Sequence, residues 1–311
     1  LGQGELLVAE ADESDGSFNL LSPTIAVVTN IDDDHLDYYG NLENIKKAFA
    51  IFLNKLPFYG AGIVCGDDKN ILSVLKEVKK RILTYGISNH CDYQAKNIHF
   101  KNIASRFDVY FKNQKLGNIQ LQVPGVHNVK NALSAVAVGR ELYLPFQKIR
   151  RGLASYTGVQ RRFQIRGEVS QVTVLDDYGH HPTEIEATLA ACKKVWPKRR
   201  LVVVFQPHRY TRTRDLLKKF ARAFHDADVV LMTEIYPAGE KPISGVKAEK
   251  LVPLIKKHKR EVYFTPRREH VAFELEKMIK SGDVVLTLGA GDVWKVGEEL
   301  LELMKRMVVR K

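Results

Sequence analysis

Cysteine is nearly missing from this 311-residue chain: Cys65, Cys91 and Cys192 are its only three, and no two of them form a C-x-x-C pair. An odd, scattered set supports neither a disulfide framework nor a zinc site, and a reducing cytoplasm is the setting it implies. Long apolar runs are missing too. Stretches such as Leu201 to Phe205 are strand-length, far below the roughly 18 residues that a membrane span needs. No signal peptide opens the chain, because residues 2 to 10 are acidic and read as strand. There is no initiator Met either, so the start reads as that of a fragment. Basic residues are missing from one region only. The first 40 residues hold nine Asp and Glu and no Lys or Arg, so the +12 of the whole chain becomes +21 over the remaining 271. An acidic segment feeding a basic body suits a protein that holds a metal cation near one strand and anionic substrates elsewhere, although solvated basic helix faces account for much of any such surplus. The Lys and Arg are not interleaved with aromatics along one stripe, which makes a nucleic-acid module a distant reading.

What is present is an ordinary globular composition, 45% hydrophobic and 27% charged, enough for about two domains. Neither an internal repeat nor a low-complexity tract interrupts it. Short β-branched runs alternate with amphipathic segments throughout, the pattern of parallel strands joined by crossover helices, so the fold class is α/β. Residues 5–9 and 24–30 read as buried strands, 42–56 as a helix with Ile45, Phe49, Phe52 and Leu53 on one face, and 62–65 as the next strand. Residues 93–123 alternate polar and apolar in short pieces around Asn113 and Gly117 and read as a small antiparallel excursion. Helices follow at 127–143 and 145–155, then a linker at 156–160 containing Gly158. A second series begins at Arg161, with strands near 172–176, 200–205, 228–233, 261–264 and 283–288. Helices near 182–195, 211–224, 247–258, 268–280 and 293–308 separate them. That is a doubly wound domain, in which ligands sit beyond the carboxyl ends of the strands.

Five segments concentrate polar residues at strand ends or helix starts. Glu10, Asp12, Glu13 and Asp15 follow one strand, and Asp32, Asp33, Asp34, His35 and Asp37 follow the next. Two carboxylate clusters and one imidazole can supply ligands for a divalent ion bridging phosphates, against the simpler alternative of helix capping. His127, Asn128 and Asn131 stand at a helix start, where the amides either cap the helix or meet a planar base. Asp176, Asp177, Tyr178, His180 and His181 crowd six residues, a solvated loop being the even alternative. Gln206 to Asp215 include His208, Arg209 and Arg212; the two arginines are three apart, so their guanidiniums can converge on an anion that also meets free helix N–H groups. Residues 288–292, Leu-Gly-Ala-Gly-Asp, lack the third glycine of a dinucleotide fingerprint and read as a tight strand-to-helix turn.

AEADESDGSF (9–18), TNIDDDHLD (29–37), LPFY (56–59), Arg161 to Phe163, DDYGHHP (176–182) and FQPHRYTRTRD (205–215) together resemble, in order and across essentially the whole chain, the ATP-dependent Mur ligases of bacterial peptidoglycan synthesis. The resemblance implies a central ATPase domain over 1–160, a mostly parallel sheet with the antiparallel excursion, and a Rossmann-like C-terminal ligase domain over 161–311. It implies that ATP phosphorylates the lactyl carboxylate of UDP-N-acetylmuramate, and that L-alanine displaces phosphate from the acyl phosphate, leaving ADP and phosphate. Carried over residue by residue, Glu10 and His35 would hold magnesium, and His127, Asn128 and Asn131 would meet adenine. Asp177 would reach the ribose, and Arg161 or Arg162 the phosphates. Tyr178, His180, His208, Arg209 and Arg212 would orient the amino acid and the muramyl carboxylate, with His180, Arg209 and Arg212 catalytic. Neither membrane nor nucleic acid is an expected partner.

Two departures matter. The phosphate loop G-x-x-x-x-G-K-[ST] occurs nowhere in the chain, so the resemblance implies a truncated ligase, inactive alone, that lacks the N-terminal UDP-binding domain and the lysine cradling the β and γ phosphates. Ligases of the family that add later amino acids carry a lysine after the metal histidine where this chain has Phe49, Ala50 and Ile51, which points to the alanine-adding branch. Two alternatives stand beside it. One is the recycling ligase that attaches a preformed peptide to the same nucleotide sugar, whose loop begins Glu-Pro-Arg instead of Gln206-Pro207-His208-Arg209. The other is a non-catalytic remnant that binds nucleotide.

Overall fold

The computed structural model describes residues 3–258 and 261–309. Two compact units divide the chain, one formed by Leu1–Lys96, Val109–Gly117 and Lys130–Ile149, the other by Asn97–Asp108, Asn118–Val129 and Arg150–Lys311. The described strands make two six-stranded sheets. The first holds β1 (Ile25–Val28), β2 (Ala61–Cys65), β3 (Ile82–Gly86), β4 (Tyr93–Lys101), β5 (Ala104–Phe111) and β6 (Gln114–Leu121), side by side in chain order. From β1 to β4 the pairing is parallel. The crossover from β1 to β2 contains the helix Leu42–Asn54, started by the Asn41 side chain, which accepts the Asn44 N–H at 3.0 Å. Its buried Ile45, Phe52 and Leu53 lie on one stripe, and Phe18 packs against Phe49 and Phe52 with ring centroids 5.1 and 5.0 Å apart.

One expectation fails in this region. Residues 5–9 form no strand and are exposed, Leu6 at 65%, Leu7 at 80% and Val8 at 94%. Apolar character alone does not make a strand; the backbone needs a ladder partner, and among the described residues β1 pairs with β2 and nothing pairs with 5–9. Pattern reading also passed over β3, a five-residue strand.

The second sheet runs in the order β11-β10-β9-β12-β8-β7, built from β7 (Gln164–Val169), β8 (Val172–Asp177), β9 (Leu201–Phe205), β10 (Val229–Met232), β11 (Glu261–Phe264) and β12 (Val284–Leu288). All pairs are parallel except β7 with β8. Strict alternation explains why such short strands hold: Leu201, Val203 and Phe205 of β9 enter the core on one face and Val202 and Val204 the core on the other, with β10 and β12 repeating the division. β7 escaped the pattern because it is an antiparallel edge strand whose register shifts between Ile165 and Gly167, which breaks the period of two. The helix expected over 211–224 divides into Tyr210–Asp215 and Leu217–Ala223, with Leu216 off helical geometry between them. The one expected over 247–258 becomes a 3-10 turn, Ala248–Lys250, followed by Leu251–Lys256. Pro253 has no N–H and is tolerated only in a first turn, which sets that start.

Register fixes where chemistry can occur. Leu288 lies opposite both Asp177 and Phe205, and Met232 opposite Phe205. The carboxyl ends of β8, β9, β10 and β12 therefore finish level, and their loops meet at one edge of the sheet. Among the described residues no helix is long and apolar enough to cross a membrane.

Candidate active site

Tyr178 to His181 leave β8, Gln206 to Arg209 leave β9, Thr233 to Glu240 leave β10, and Gly289 to Asp292 leave β12. Rings connect the first three loops. Tyr178 meets His180 edge-on at 5.5 Å, His180 lies 5.4 Å from His208, and His208 lies 5.7 Å from Tyr236 with the planes 8° apart. Arg212, only 8% exposed, directs Nη1 at His208 Nδ1, 3.2 Å away.

Those contacts assign the tautomers. A guanidinium only donates, so His208 Nδ1 accepts and a neutral His208 carries its proton on Nε2. Burial, and then the charges of His180, Arg212 and Arg209, hold His208 neutral by pushing its pKa from 6.5 down to about 4. His180 has the opposite arrangement. Its Nδ1 donates to the Tyr178 carbonyl at 3.1 Å, which puts the lone pair of the neutral ring on Nε2. Glu184 steadies the loop through the His180 and His181 N–H groups, at 2.9 and 3.1 Å, and completes a capping box with His181.

The basic turn differs from expectation in one respect. The N–H groups at the start of Tyr210–Asp215 are not open to a ligand, because the Glu240 carboxylate accepts from the Tyr210 and Thr211 N–H groups and from Thr211 Oγ1. A capping carboxylate from a distant loop satisfies what the sequence pattern left as orphans. Arg209 and Arg212 therefore supply the positive field of this turn without help from the helix end.

The residues singled out for nucleotide differ in their surroundings. Arg161 is absorbed by its own domain: Nε donates to Asp176 Oδ2 at 2.9 Å, Nη1 to the Gly291 carbonyl at 3.2 Å and Nη2 to the Gly289 carbonyl at 2.7 Å. Arg162 is half exposed, pairs with Glu184 at 3.1 Å and lies over the Tyr178 ring. Asp177 accepts from the Phe163 and Gly179 N–H groups, both at 2.8 Å, yet burial still raises its pKa to about 6. His127 is pushed by burial to about 4. Asn128 donates to the Pro124 carbonyl at 2.7 Å, and Asn131 is exposed one turn along the same helix.

In the acidic segments several carboxylates do cap turns, Asp12 for the Ser14 N–H and Asp15 for the Ser17 N–H. His35 stands at the N-cap of Leu36–Tyr39 with a left-handed backbone, φ 54°. Its Nε2 lies 3.7 Å from Glu13 and 3.8 Å from Asp34, whereas Glu10 is exposed.

Sequence pattern did not single out Tyr236, Glu184 or Glu240, and took Asp292 only as the end of a tight turn. Gln206 donates to Asp292 at 3.0 Å and accepts the Val293 N–H, and Arg268 bridges Asp292 and Glu299, so the 289–292 turn is fastened on two sides. Glu184 could have been found, since it stands three residues after the N-cap His181.

Native His127 and His208 stay neutral down to about pH 4 while unfolded imidazoles protonate near 6.5, so falling pH favours the unfolded chain. Native Asp177 opposes this, already binding its proton below about pH 6, before an unfolded carboxyl does. Two titrations outweigh one, and the lowered pKa values of Asp67 and Glu184 add in the same direction. The denaturation midpoint should therefore fall as pH drops from about 6.5 to 4, and fall less in His208→Gln; a midpoint unchanged or rising over that window in the unsubstituted chain contradicts the assignment.

Comparison with known proteins matches both parts of the chain to one family. Residues 3–139 match the Mur ligase middle domain, and residues 161–291 match the Mur ligase, glutamate ligase domain. The UDP-N-acetylmuramate–L-alanine ligase of Geotalea daltonii is 55% identical over 98% of this chain and 67% of its own length. That of Geobacter sulfurreducens is 54% identical over 97% and 66%. The chain thus spans about two thirds of the curated relatives it matches. Among solved structures, UDP-N-acetylmuramate-alanine ligase MurC from Thermotoga maritima superposes with a TM-score of 0.76 at 28% identity, covering 96% of this chain and 63% of that one. A murein peptide ligase from Psychrobacter arcticus shares the fold, with a TM-score of 0.65 at 23% identity over 92% and 58%.

Proposed function

The chain belongs to the Mur ligase family, and from that premise we propose that it is the central and C-terminal part, meeting near residue 160, of a ligase that joins L-alanine to the lactyl carboxylate of UDP-N-acetylmuramate. The γ-phosphoryl of ATP passes to a carboxylate oxygen, giving ADP and an acyl phosphate. The alanine nitrogen then attacks the acyl carbon, the C–N bond forms, and phosphate leaves with the C–O electron pair. The observation that carries this reading is the convergence on one sheet edge of a buried Arg212, Arg209 and two imidazoles of opposite tautomer. Arg209 and Arg212 hold the carboxylate and the charge that develops on the acyl phosphate. His180 Nε2 takes the proton the attacking amine loses, and His208, neutral with its proton on Nε2, donates to substrate oxygen. Tyr178 walls the amino acid between Arg162 and His180.

His127, Asn128 and Asn131 meet adenine, Asp177 the ribose and Arg162 the phosphates, while Arg161 holds the turn after β12 through the Gly289 and Gly291 carbonyls. Hard carboxylate oxygens with one imidazole fit magnesium; Glu10 and His35 would hold it, as the family resemblance implies, with Glu13, 3.7 Å from His35, as a further donor. Bound there, the ion neutralises phosphate charge. A recycling ligase is the weaker reading, because Gln206 begins the basic turn and the ligases matched at 51–55% identity carry the alanine-ligase name.

His35→Ala, in protein expressed from the full reading frame, should lose most alanine-dependent ADP formation at low magnesium and regain part of it as magnesium is raised, because one lost ligand lowers metal affinity without removing the arginines. His90→Ala is the control, since His90 only meets the Gly66 carbonyl. Equal losses in both variants, insensitive to magnesium, would indicate destabilisation and remove His35 from the metal site.

A further inference from the structure

The loop that follows β10 holds the basic turn by three separate means. Its backbone clasps the turn: the Arg209 N–H donates to the Tyr236 carbonyl at 2.9 Å and the Tyr236 N–H to the Pro207 carbonyl at 2.8 Å, an isolated parallel bridge. Arg209 needs such a clasp, because its φ of 70° with ψ of 142° is a conformation that L-residues rarely adopt. Its carboxylate, Glu240, caps the helix carrying Arg212. Its ring, Tyr236, stacks nearly parallel to the His208 imidazole, centroids 5.7 Å apart. The backbone also comes close to that ring at Gly291, where a Cβ would fall 2.6 Å from Tyr236 Cγ and 2.8 Å from Cδ2. A side chain at 291 would press on the Tyr236 ring, which is still 37% exposed, and the His208 imidazole stacks on that ring.

We infer that Tyr236 is a positioning residue for the ligation step, a platform that holds the His208 ring in the orientation in which Nδ1 receives Arg212 and Nε2 faces substrate. The inference rests on the assignment of this sheet edge to amino-acid and carboxylate binding. The ring, not the hydroxyl, does the holding, since the stacking and the Gly291 contact both involve ring carbons. The charged or titratable groups around His208 are His180, Arg209, Arg212 and Glu240, and each contacts a loop that Tyr236 braces.

Two variants of the protein expressed from the full reading frame separate ring from hydroxyl. Tyr236→Phe keeps the platform and should leave kinetics unchanged. Tyr236→Leu keeps bulk but loses the stack, and should raise the KM for L-alanine at least ~10-fold with the KM for ATP unchanged. In the same variant the His208 ring, followed by NMR of selectively labelled histidine, should titrate upward from about 4 toward 6.5 as water reaches it. Equal losses in the Phe and Leu variants would overturn the ring's role, as would a Leu variant with wild-type KM for L-alanine. A wild-type His208 that titrates near 6.5 would overturn it without any variant, whether or not Tyr236→Leu folds. Arg212→Ala keeps the two readings apart. If it ligates normally, the site assignment fails; if it is inactive while Tyr236→Leu is normal, only the platform fails.

Discussion

Replacing Arg212 by alanine should lower kcat/KM for ligation by roughly 100-fold or more, with the fold intact. The expectation follows from what the turn lacks. Glu240 occupies the N–H groups at the start of Tyr210–Asp215, so developing negative charge on the acyl phosphate meets guanidinium and no helix end. Arg212 is 8% exposed, and in so dry a setting one charge-assisted donor is worth about 2.7–4 kcal/mol to a transition state. Its Nη1 contact with His208 also sets the tautomer of that ring, so alanine removes a donor and frees an imidazole together. Lysine keeps the charge but loses the planar fork, and Arg212→Lys and Arg209→Lys should each still cost roughly tenfold, about 1.4 kcal/mol. Arg222→Lys, exposed on the next helix, should be nearly silent. Steady-state kinetics at varied L-alanine and nucleotide sugar, with thermal melts for folding, decide the matter. Near-wild-type efficiency in both Arg209 and Arg212 variants would remove the turn from the active site.

How much of this was legible in the amino-acid order depends on range. Strands such as Leu201–Phe205 and Val284–Leu288 were readable because both faces are buried and the apolar runs are unbroken. With those strands placed, the rule that ligands gather at carboxyl ends drew attention to the loops carrying His180, His208, Arg209 and Arg212. Partners that arrive from another loop were not readable. Glu240 reaches Thr211 across 29 positions and Arg161 reaches Gly289 across 128, and no local period encodes either. Polar spacing therefore marked the loops at the sheet edge, while tertiary packing decided which of their polar groups are tied into the frame. Residues 5–9 show the same limit in reverse, since a strand-like pattern without a ladder partner is only an exposed run.

Arg161 and Arg162 are adjacent, both basic and both proposed from sequence for phosphate, and the structure gives them opposite fates. Arg161→Ala should destabilise the C-terminal domain by about 3–5 kcal/mol, the scale expected when one partner of a buried ion pair is deleted. Asp176 is 1% exposed, and its second oxygen already accepts from Thr287 Oγ1 at 2.8 Å, so without the guanidinium a carboxylate stays buried with one hydroxyl for company. The Gly289 and Gly291 carbonyls would lose their donors in the same step. Arg162→Ala should cost no more than about 1 kcal/mol, since Arg162 and Glu184 are both partly open to water, and should act on nucleotide affinity instead. Both tryptophans of the chain, Trp196 and Trp294, lie beyond residue 161, so their fluorescence in a denaturant series follows this domain. Trp196 stacks on Phe163 at 5.9 Å, two residues from the substitution. Adding Asp176→Asn to Arg161→Ala should recover a large part of the loss, because a neutral amide does not carry the desolvation cost of an unpaired charge. Equal midpoint shifts for Arg161→Ala and Arg162→Ala, or no recovery in the double variant, would show that the pair with Asp176 is not what holds the loop after β12.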